Sequence, residues 1–344
     1  MSAFVDTAAA GLMRGGMVSG NRVVVAVVHG AWGTSLDEED TREQARCVCD
    51  SLTRLGMAAS IVALGPELRE LAEVATLQPQ VVFNLVEGLG GLGRRAHEAA
   101  NHLATLGVPL TGVNGPIQEV VNSKIAGKEA LHRAGLPTPP WSRDGSDISG
   151  DDLWIVKPVW EHGSLSMDAS SVVPAAQVAQ ALELRARESQ HLHFAEKYIP
   201  GREFNVSIVQ SPRGGEVFPP VEMLFVDYPD DALKIVDYAA KWDATSFGYH
   251  HTPRRFAFPE RDTLLLQRLH ELSMAVWNHF NMTGYVRVDF RVDALNQPWI
   301  LEINANPCLS PEAGFVVTVL QSGLTYDQLI ERLVRAALGW PEEI

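Results

Sequence analysis

Tyr285-Val286-Arg287-Val288-Asp289-Phe290-Arg291-Val292-Asp293 runs into a short break at Ala294 to Gln297, then continues as Pro298-Trp299-Ile300-Leu301-Glu302-Ile303-Asn304-Ala305-Asn306-Pro307. Both arms alternate apolar and polar residues with a period of two, and turn-formers fill the break, which predicts a β-hairpin with one buried face. With the turn centred between Leu295 and Asn296, Asp289 faces Glu302 and Arg287 faces Asn304, while Val286, Val288, Phe290, Leu301 and Ile303 pack behind them. Like charges directly opposed across a ladder destabilise it, so the pairing makes sense if a cation sits between the carboxylates. Asp, Glu and Asn are hard oxygen donors that suit magnesium. An ordinary solvated sheet face, its carboxylates neutralised by Arg287 and Arg291, explains the same residues. The hairpin alone does not choose between the two.

Composition narrows the rest. A chain of 344 residues has room for two or three domains, and 46% apolar with 20% charged residues is the balance of a soluble globular protein. A formal net charge of -14 leaves no footprint for duplex nucleic acid or an anionic membrane, so neither is expected as a partner. Three cysteines, Cys47, Cys49 and Cys308, make neither a disulfide framework nor a zinc site, and a reducing cytoplasm is the expected compartment. The first twenty residues lack a basic segment ahead of a continuous apolar core and read as a loose extension rather than a secretory signal. No run reaches the length of a membrane span.

Arg22 to His29 is an apolar strand of the buried parallel kind, and Glu38 to Leu55, Ala58 to Leu64, Glu67 to Thr76 and Val81 to Val86 follow as helix, strand, helix and strand. This succession predicts an open parallel sheet whose ligands lie beyond the carboxyl ends of its strands, where the loop Glu87-Gly88-Leu89-Gly90-Gly91-Leu92-Gly93 begins. A helix at Arg94 to Leu106 and a strand at Val108 to Gly112 close this unit, and Gly115-Pro116 marks a boundary. Asn122 to Ala134 then forms a helix with Lys124 and Lys128 on one face, which by itself reads as solvated surface. Leu153 to Pro158 is a strand bearing Lys157, and the small-residue turn after it, Glu161 to Met167, can present backbone N–H groups to phosphate. Leu192 to Tyr198 is a strand that Pro200-Gly201 interrupts before Glu203 to Gln210, a break suited to a hinge. Asp237 to His251, with Lys241, reads as a long irregular loop of the functional lid type. Leu264 to Phe280 is an amphipathic helix, and Thr318 to Leu338 one broken or two short helices.

The succession NSKIAGKEALHRAGLPTP, IVKPVWEHGSLSM, AEKYIPGREF, YAAKW, and RVDF with LEINANPCLS resembles the ATP-grasp superfamily, and within it the D-alanine:D-alanine ligase-like enzymes, from about Asn122 to Leu333. The resemblance implies an α/β chain, α+β in its ATP-grasp part, with three domains: 21–114 as an N-terminal α/β substrate domain, 115–199 as the central ATP-grasp domain, and 200–344 as the C-terminal one. It also implies that ATP lies between two antiparallel sheets.

Carried over residue by residue, Lys124 and Lys157 are similar to the lysines that hold the nucleotide phosphates. Ser164 and its neighbours resemble the loop closing over the terminal phosphates. Glu196, Lys197 and Ile199 match the adenine-contacting hinge, the last two through backbone groups, and Glu203 matches the ribose-binding carboxylate. Lys241 sits where a mobile-loop lysine reaches the γ-phosphate. Asp289, Glu302 and Asn304 coincide with the magnesium ligands, which hold two ions for which manganese can substitute. Arg287 matches the arginine that stabilises developing charge, so Arg287, Lys241 and Ser164 are the expected catalytic set. The implied reaction joins a small-molecule carboxylate to an amine through an acylphosphate, in a homodimer.

Substrate-side positions depart from the pattern. Ala313 and Gly314 replace the serine and leucine that hold the second substrate's carboxylate in dipeptide-forming members, Trp242 replaces a tyrosine or phenylalanine, and Glu87, ahead of Gly88, replaces a histidine. The expected product is therefore an amide on an amino-acid-like or specialised-metabolite substrate. D-alanine:D-alanine ligase itself and a non-catalytic nucleotide-binding interaction protein are the alternatives.

Overall fold

The protein was studied as a computed structural model that describes residues 22–31, 36–165 and 167–340; the extension expected over residues 1–20 lies outside them. Val24–Gly30 is the centre of a three-stranded parallel sheet, flanked by Ala58–Leu64 and Val81–Asn84. Its apolar run is unbroken because both faces are covered. Val25 and Val27 face one core with Val48 and Leu52 of helix Leu36–Arg54, while Ala26 and Val28 face another with Val74 and Leu103. The strand expected over Val108–Gly112 shrinks to one parallel bridge, Leu110 to Val82. Pro109, which has no N–H to give a ladder, precedes it. The first of these cores also takes in Phe315, Val319, Leu329 and Leu333 from helices Gly314–Gln321 and Tyr326–Ala337, so the end of the chain roofs its beginning. Thr325 separates those two helices and opens the second through a capping box with Gln328.

The single helix expected at Asn122–Ala134 is two, Gly115–Asn122 and Lys124–Arg133. Ser123 leaves helical geometry to cap the second, accepting the Ala126 N–H, and Asn114 caps the first, whose Pro116 suits a first-turn position. Gly115-Pro116 therefore starts an element as well as following one.

Two antiparallel sheets complete the molecule. One has four strands in the order Trp141–Ser142, His193–Lys197, Leu153–Pro158, Val172–Pro174. The other runs Arg254–Arg255, Val221–Met223, Arg202–Ser211, Tyr285–Val292, Pro298–Asn304, with Gly214–Val217 also paired to Arg202–Ser211. Helix Thr263–His279 packs Leu269, Leu272 and Val276 against the core face of this second sheet. Pro200-Gly201 joins the two sheets. Gly201 has φ of 142°, and a Cβ there would lie 2.0 Å from the Val292 carbonyl oxygen, so only glycine fits this crossing.

The hairpin pairs Arg287 with Asn304 and Asp289 with Glu302, but the register slips between Asp289 and Phe290, which pairs with Ile300. Leu301 is thus the extra residue of a β-bulge. The turn closes tighter than the expected centring, with Asp293 donating to Gln297 at 3.1 Å and Asn296 at φ of 57°, and the bulge restores the register. Ile300 takes the core position expected of Leu301, which turns with Glu302 toward the opposite side. The stretch Asp237–His251 is also more ordered than expected. It holds two short helices, Tyr238–Trp242 and Phe247–His251, capped by Asp237 and Ser246.

Candidate active site

A cleft opens between the two antiparallel sheets. Lys197, Ile199 and Glu203 line its hinge end, and Lys124, Lys157, Ser164, Lys241, Asp289 and Glu302 line the rest. Arg287 and Asn304 lie beside it on the same hairpin face, because residues two apart on a strand share a face.

The lysines that read as a solvated helix face are buried. Lys124 is 7% exposed and Lys128 1%. Lys128 pairs with one carboxylate oxygen of Glu196 and donates to Thr138 Oγ1 at 2.8 Å, while Lys157 donates to the other Glu196 oxygen at 2.6 Å. Burial raises the Glu196 carboxyl pKa, but the two ammoniums outweigh it and the net shift is downward. Burial pulls Lys128 down despite Glu196. Glu196 therefore acts as the buried counter-ion of two lysines. Lys197 sends its side chain away to Asp152 at 2.7 Å, and its backbone N–H donates to the Pro140 carbonyl at 2.8 Å.

Arg291, offered by the sequence as a neutraliser of the sheet carboxylates, instead clamps the hinge. Its Nε donates to the Ile199 carbonyl at 3.1 Å, and its other nitrogens reach the Gly201 carbonyl, Tyr198 Oη, the Lys234 carbonyl and Glu203. Burial raises the Glu203 pKa, with Arg291 opposing. The period-two spacing of Arg287, Asp289 and Arg291 was the available signal.

On the hairpin, Arg287 donates to both oxygens of Asp289 at 2.7 and 2.8 Å, and Asn205 donates to one of them at 2.7 Å. Glu302 stands 3.3 Å from the Lys124 ammonium. Burial pushes the Glu302 carboxyl up, but Lys124, His162, Lys241 and Lys157 together pull it far down. Asn304 Oδ1 accepts the Asn306 N–H at 3.0 Å, which uses one of its two lone pairs. Burial, then Arg287, lower the Lys241 pKa.

His162 is a site residue the sequence reasoning passed over. It lines the cleft 3.8 Å from Glu302, and neither ring nitrogen has a hydrogen-bond partner. Burial, then Lys124, lower its pKa to about 4, which keeps the ring neutral at pH 7.

The small-residue turn and the Asp237–His251 stretch are fastened together. Ser164, at φ of 61°, donates to the Val236 carbonyl at 2.7 Å, Trp242 Nε1 donates to the Gly163 carbonyl at 3.2 Å, and the Tyr238 N–H donates to Met167. Lys241 is carried between these contacts.

Residues 154–335 match the family model described as D-ala D-ala ligase C-terminus. The chain belongs to the D-alanine–D-alanine ligase family. It is an ATP-dependent ligase that forms a carbon–nitrogen bond. An uncharacterized protein, y4sG of Sinorhizobium fredii, is 31% identical over 75% of this chain and 74% of its own length. The D-alanine–D-alanine ligase of Methylococcus capsulatus is 28% identical over 92% of this chain and 96% of its own. The crystal structure of the Bacillus anthracis D-alanine–D-alanine ligase complexed with ATP shares the fold, with a TM-score of 0.69 at 18% identity over 92% of this chain and 98% of that one.

In this family member the segment after the hairpin threads toward the loops of the parallel sheet. Asn306 donates to the Val86 carbonyl at 3.2 Å, and Asp40 accepts from Cys308 Sγ at 3.1 Å and Ser310 Oγ at 2.7 Å. Glu87 accepts from Gln44 at 3.3 Å. Burial, then Glu87 and Asp40, push the Cys308 thiol pKa well up. A Cβ at Gly30 would lie 2.4 Å from the Gly88 carbonyl, so these two loops touch. Ala313 and Gly314 open helix Gly314–Gln321, and Ala313 gives it no side-chain cap. Among the described residues no helix is long and apolar enough to cross a membrane.

Proposed function

We propose that the protein activates a small-molecule carboxylate as an acylphosphate and joins it to an amine, in a three-unit chain divided at residues 21–114, 115–199 and 200–344. Adenine and ribose take the hinge end, at the backbone of Lys197 and Ile199 and at the Glu203 carboxylate. The triphosphate extends toward Lys124, Lys157, Lys241 and Ser164, with the neutral His162 ring offering one N–H donor beside them. Asp289, Glu302 and Asn304 are oxygen donors on one hairpin face and would hold magnesium, as two ions, or manganese in its place. When bound, the metal supplies charge that neutralises the phosphate oxygens during transfer. The substrate carboxylate attacks the γ-phosphorus and ADP leaves; the amine then adds to the acyl carbon, Arg287 steadies the tetrahedral oxyanion so formed, and phosphate departs as the nitrogen gives up its proton. The Asp237–His251 stretch keeps water from the acylphosphate.

The convergence of three lysines and two opposed carboxylates in one cleft is the observation that supports this most. Glu87, Trp242, Ala313 and Gly314 favour a product other than D-alanyl-D-alanine, such as an amino-acid-like or specialised amide. The curated relatives keep D-alanyl-D-alanine itself as the second reading. ADP release across a panel of carboxylates and amines separates them, with mass spectrometry naming the product. ATP binding with no substrate-stimulated ADP release would instead leave a nucleotide-binding interaction protein. Glu302→Gln should keep the fold and lose turnover; a wild-type rate in that variant would remove the metal assignment.

A further inference from the structure

The donors that line the cleft fall into two sets. Lys124 donates to the Glu161 carbonyl, Lys157 to Glu196 and Ser164 to the Val236 carbonyl, so each has a partner within the protein. His162 and Lys241 do not. Both ring nitrogens of His162 are buried without a hydrogen-bond partner, and Nδ1 stands 3.8 Å from a Glu302 oxygen, beyond hydrogen-bond reach. Among the described residues, Lys241 meets its charged neighbours only through space, with no hydrogen bond or ion pair of its own. A buried polar group left unpaired is costly, and an apolar side chain would fill the place of the ring without that cost. The ring nitrogens therefore call for a partner from outside the chain.

The two unpaired donors reach one place from different elements. Gly163, next to His162, accepts at its carbonyl from Trp242 Nε1 at 3.2 Å, and Trp242 is next to Lys241. One hydrogen bond thus fixes the small-residue turn against the lid with a free donor on each side. Lys124, Arg287 and Lys241 all lie near enough to act on the ring electrostatically, with Glu302 opposing them. Three cations and an N–H about one point make a site for a strongly anionic group. It lies toward Glu302 rather than toward Lys197 and Ile199, where a nucleotide seated at the hinge places its last phosphoryl group.

We propose that His162 donates a ring N–H to the γ-phosphoryl group of ATP, jointly with Lys241, and so makes the site distinguish ATP from ADP. The inference rests on the nucleotide placement above and narrows it: of the three phosphates, the ring serves the one that is transferred. It does not depend on the charge of the ring, since a neutral imidazole has one N–H and a charged one has two. The transferred group spreads its charge over three oxygens, so a donor from the turn and another from the lid can be satisfied together.

The test is calorimetric titration of ADP and of the non-hydrolysable β,γ-imido analogue of ATP, each with magnesium, onto wild type and variants. His162→Phe keeps the ring volume and removes both nitrogens. It should weaken the analogue about tenfold or more, the scale of one hydrogen bond to a charged group, and leave ADP within about twofold. Lys241→Met should lower the same ratio, and a ratio partly retained in His162→Gln, which has an N–H donor of its own, would add support. Equal losses for both nucleotides mark a role in shaping the turn and overturn the proposal, as does a His162→Phe protein that binds both as wild type does. Neither titration needs a carboxylate or an amine, so the outcome for His162 stands apart from the ligase reading. That reading fails instead if the wild type, with its preference for the analogue intact, releases no ADP on any substrate panel.

Discussion

The inner end of the cleft and the outer edge of the six-stranded sheet hold cations on opposite terms. Lys128, 1% exposed, lies within a lattice of partners in which Glu196 serves two ammoniums and Thr138 passes a hydrogen bond on to the Ile300 carbonyl. Arg254, exposed on the edge strand of the six-stranded sheet, donates to one backbone carbonyl, and among the described residues no carboxylate lies within ion-pair distance of it. A buried charge must be compensated by the protein itself, since water is not there to do it. An exposed charge is compensated by water. Stability should therefore depend far more on the inner set than on the outer one, and substitutions can separate the two.

Glu196→Gln should have the largest effect on stability. It strands Lys128 and Lys157 together, and breaking a buried pair by removing one partner costs about 3–5 kcal/mol. Urea unfolding would read it, and a loss no larger than that of Arg254→Gln would erase the contrast. The edge-strand variant itself should stay within roughly 0.5 kcal/mol of wild type, as exposed substitutions do. Next comes Arg291→Lys, which keeps the charge but cannot reproduce the fork that ties Ile199, Gly201 and Lys234 to the hairpin. A cost of about 2 kcal/mol is expected from the unpaired buried carbonyls, together with weaker nucleotide binding by calorimetry. Unaltered nucleotide affinity would mean the hinge does not need its clamp.

The same contrast explains what the sequence made legible. Strands buried on both faces must be continuously apolar and half-buried ones must alternate, so Val24–Gly30 and the terminal hairpin could be read from their periods. The opposed Asp289 and Glu302 were legible too, since a turn fixes register. The bulge at Leu301 was not, because it depends on how tightly Asp293 and Asn296 close the turn, which propensity does not specify. Nor was the burial of Lys128, as helical spacing tells which residues share a face and not what covers it. His162 and Arg254 were silent for another reason. A histidine in a glycine-serine turn and an arginine on a two-residue edge strand acquire meaning only from neighbours far away in the chain, Glu302 for one and Glu312 for the other.

Two smaller effects sharpen the boundary between structural and ligand-facing charge. Trp242→Phe removes the indole donor to the Gly163 carbonyl, a contact of about 1 kcal/mol that joins the lid to the small-residue turn. Its expected signature is faster futile ATP hydrolysis relative to amide formation, measured as the ratio of ADP to product; an unmoved ratio would show that the lid excludes water without this bond.

The smallest effect lies where the first and last helices meet, at Asp327, which Arg54 holds at 2.6 and 3.0 Å and Ser51 at 2.6 Å. The Arg54 hydrogen bonds chiefly, and that of Ser51, set the Asp327 carboxyl below its ordinary value. A depressed carboxylate stabilises the fold above its unfolded pKa of about 3.9 and loses that contribution as pH falls toward the folded value. Because Arg54 is largely exposed and screened, Asp327→Asn should cost under about 1 kcal/mol at pH 7, and its difference from wild type should vanish in acid. A difference that persists below that range would show that the site works through packing of the helix rather than through charge, unlike the inner lysines to which it is being compared.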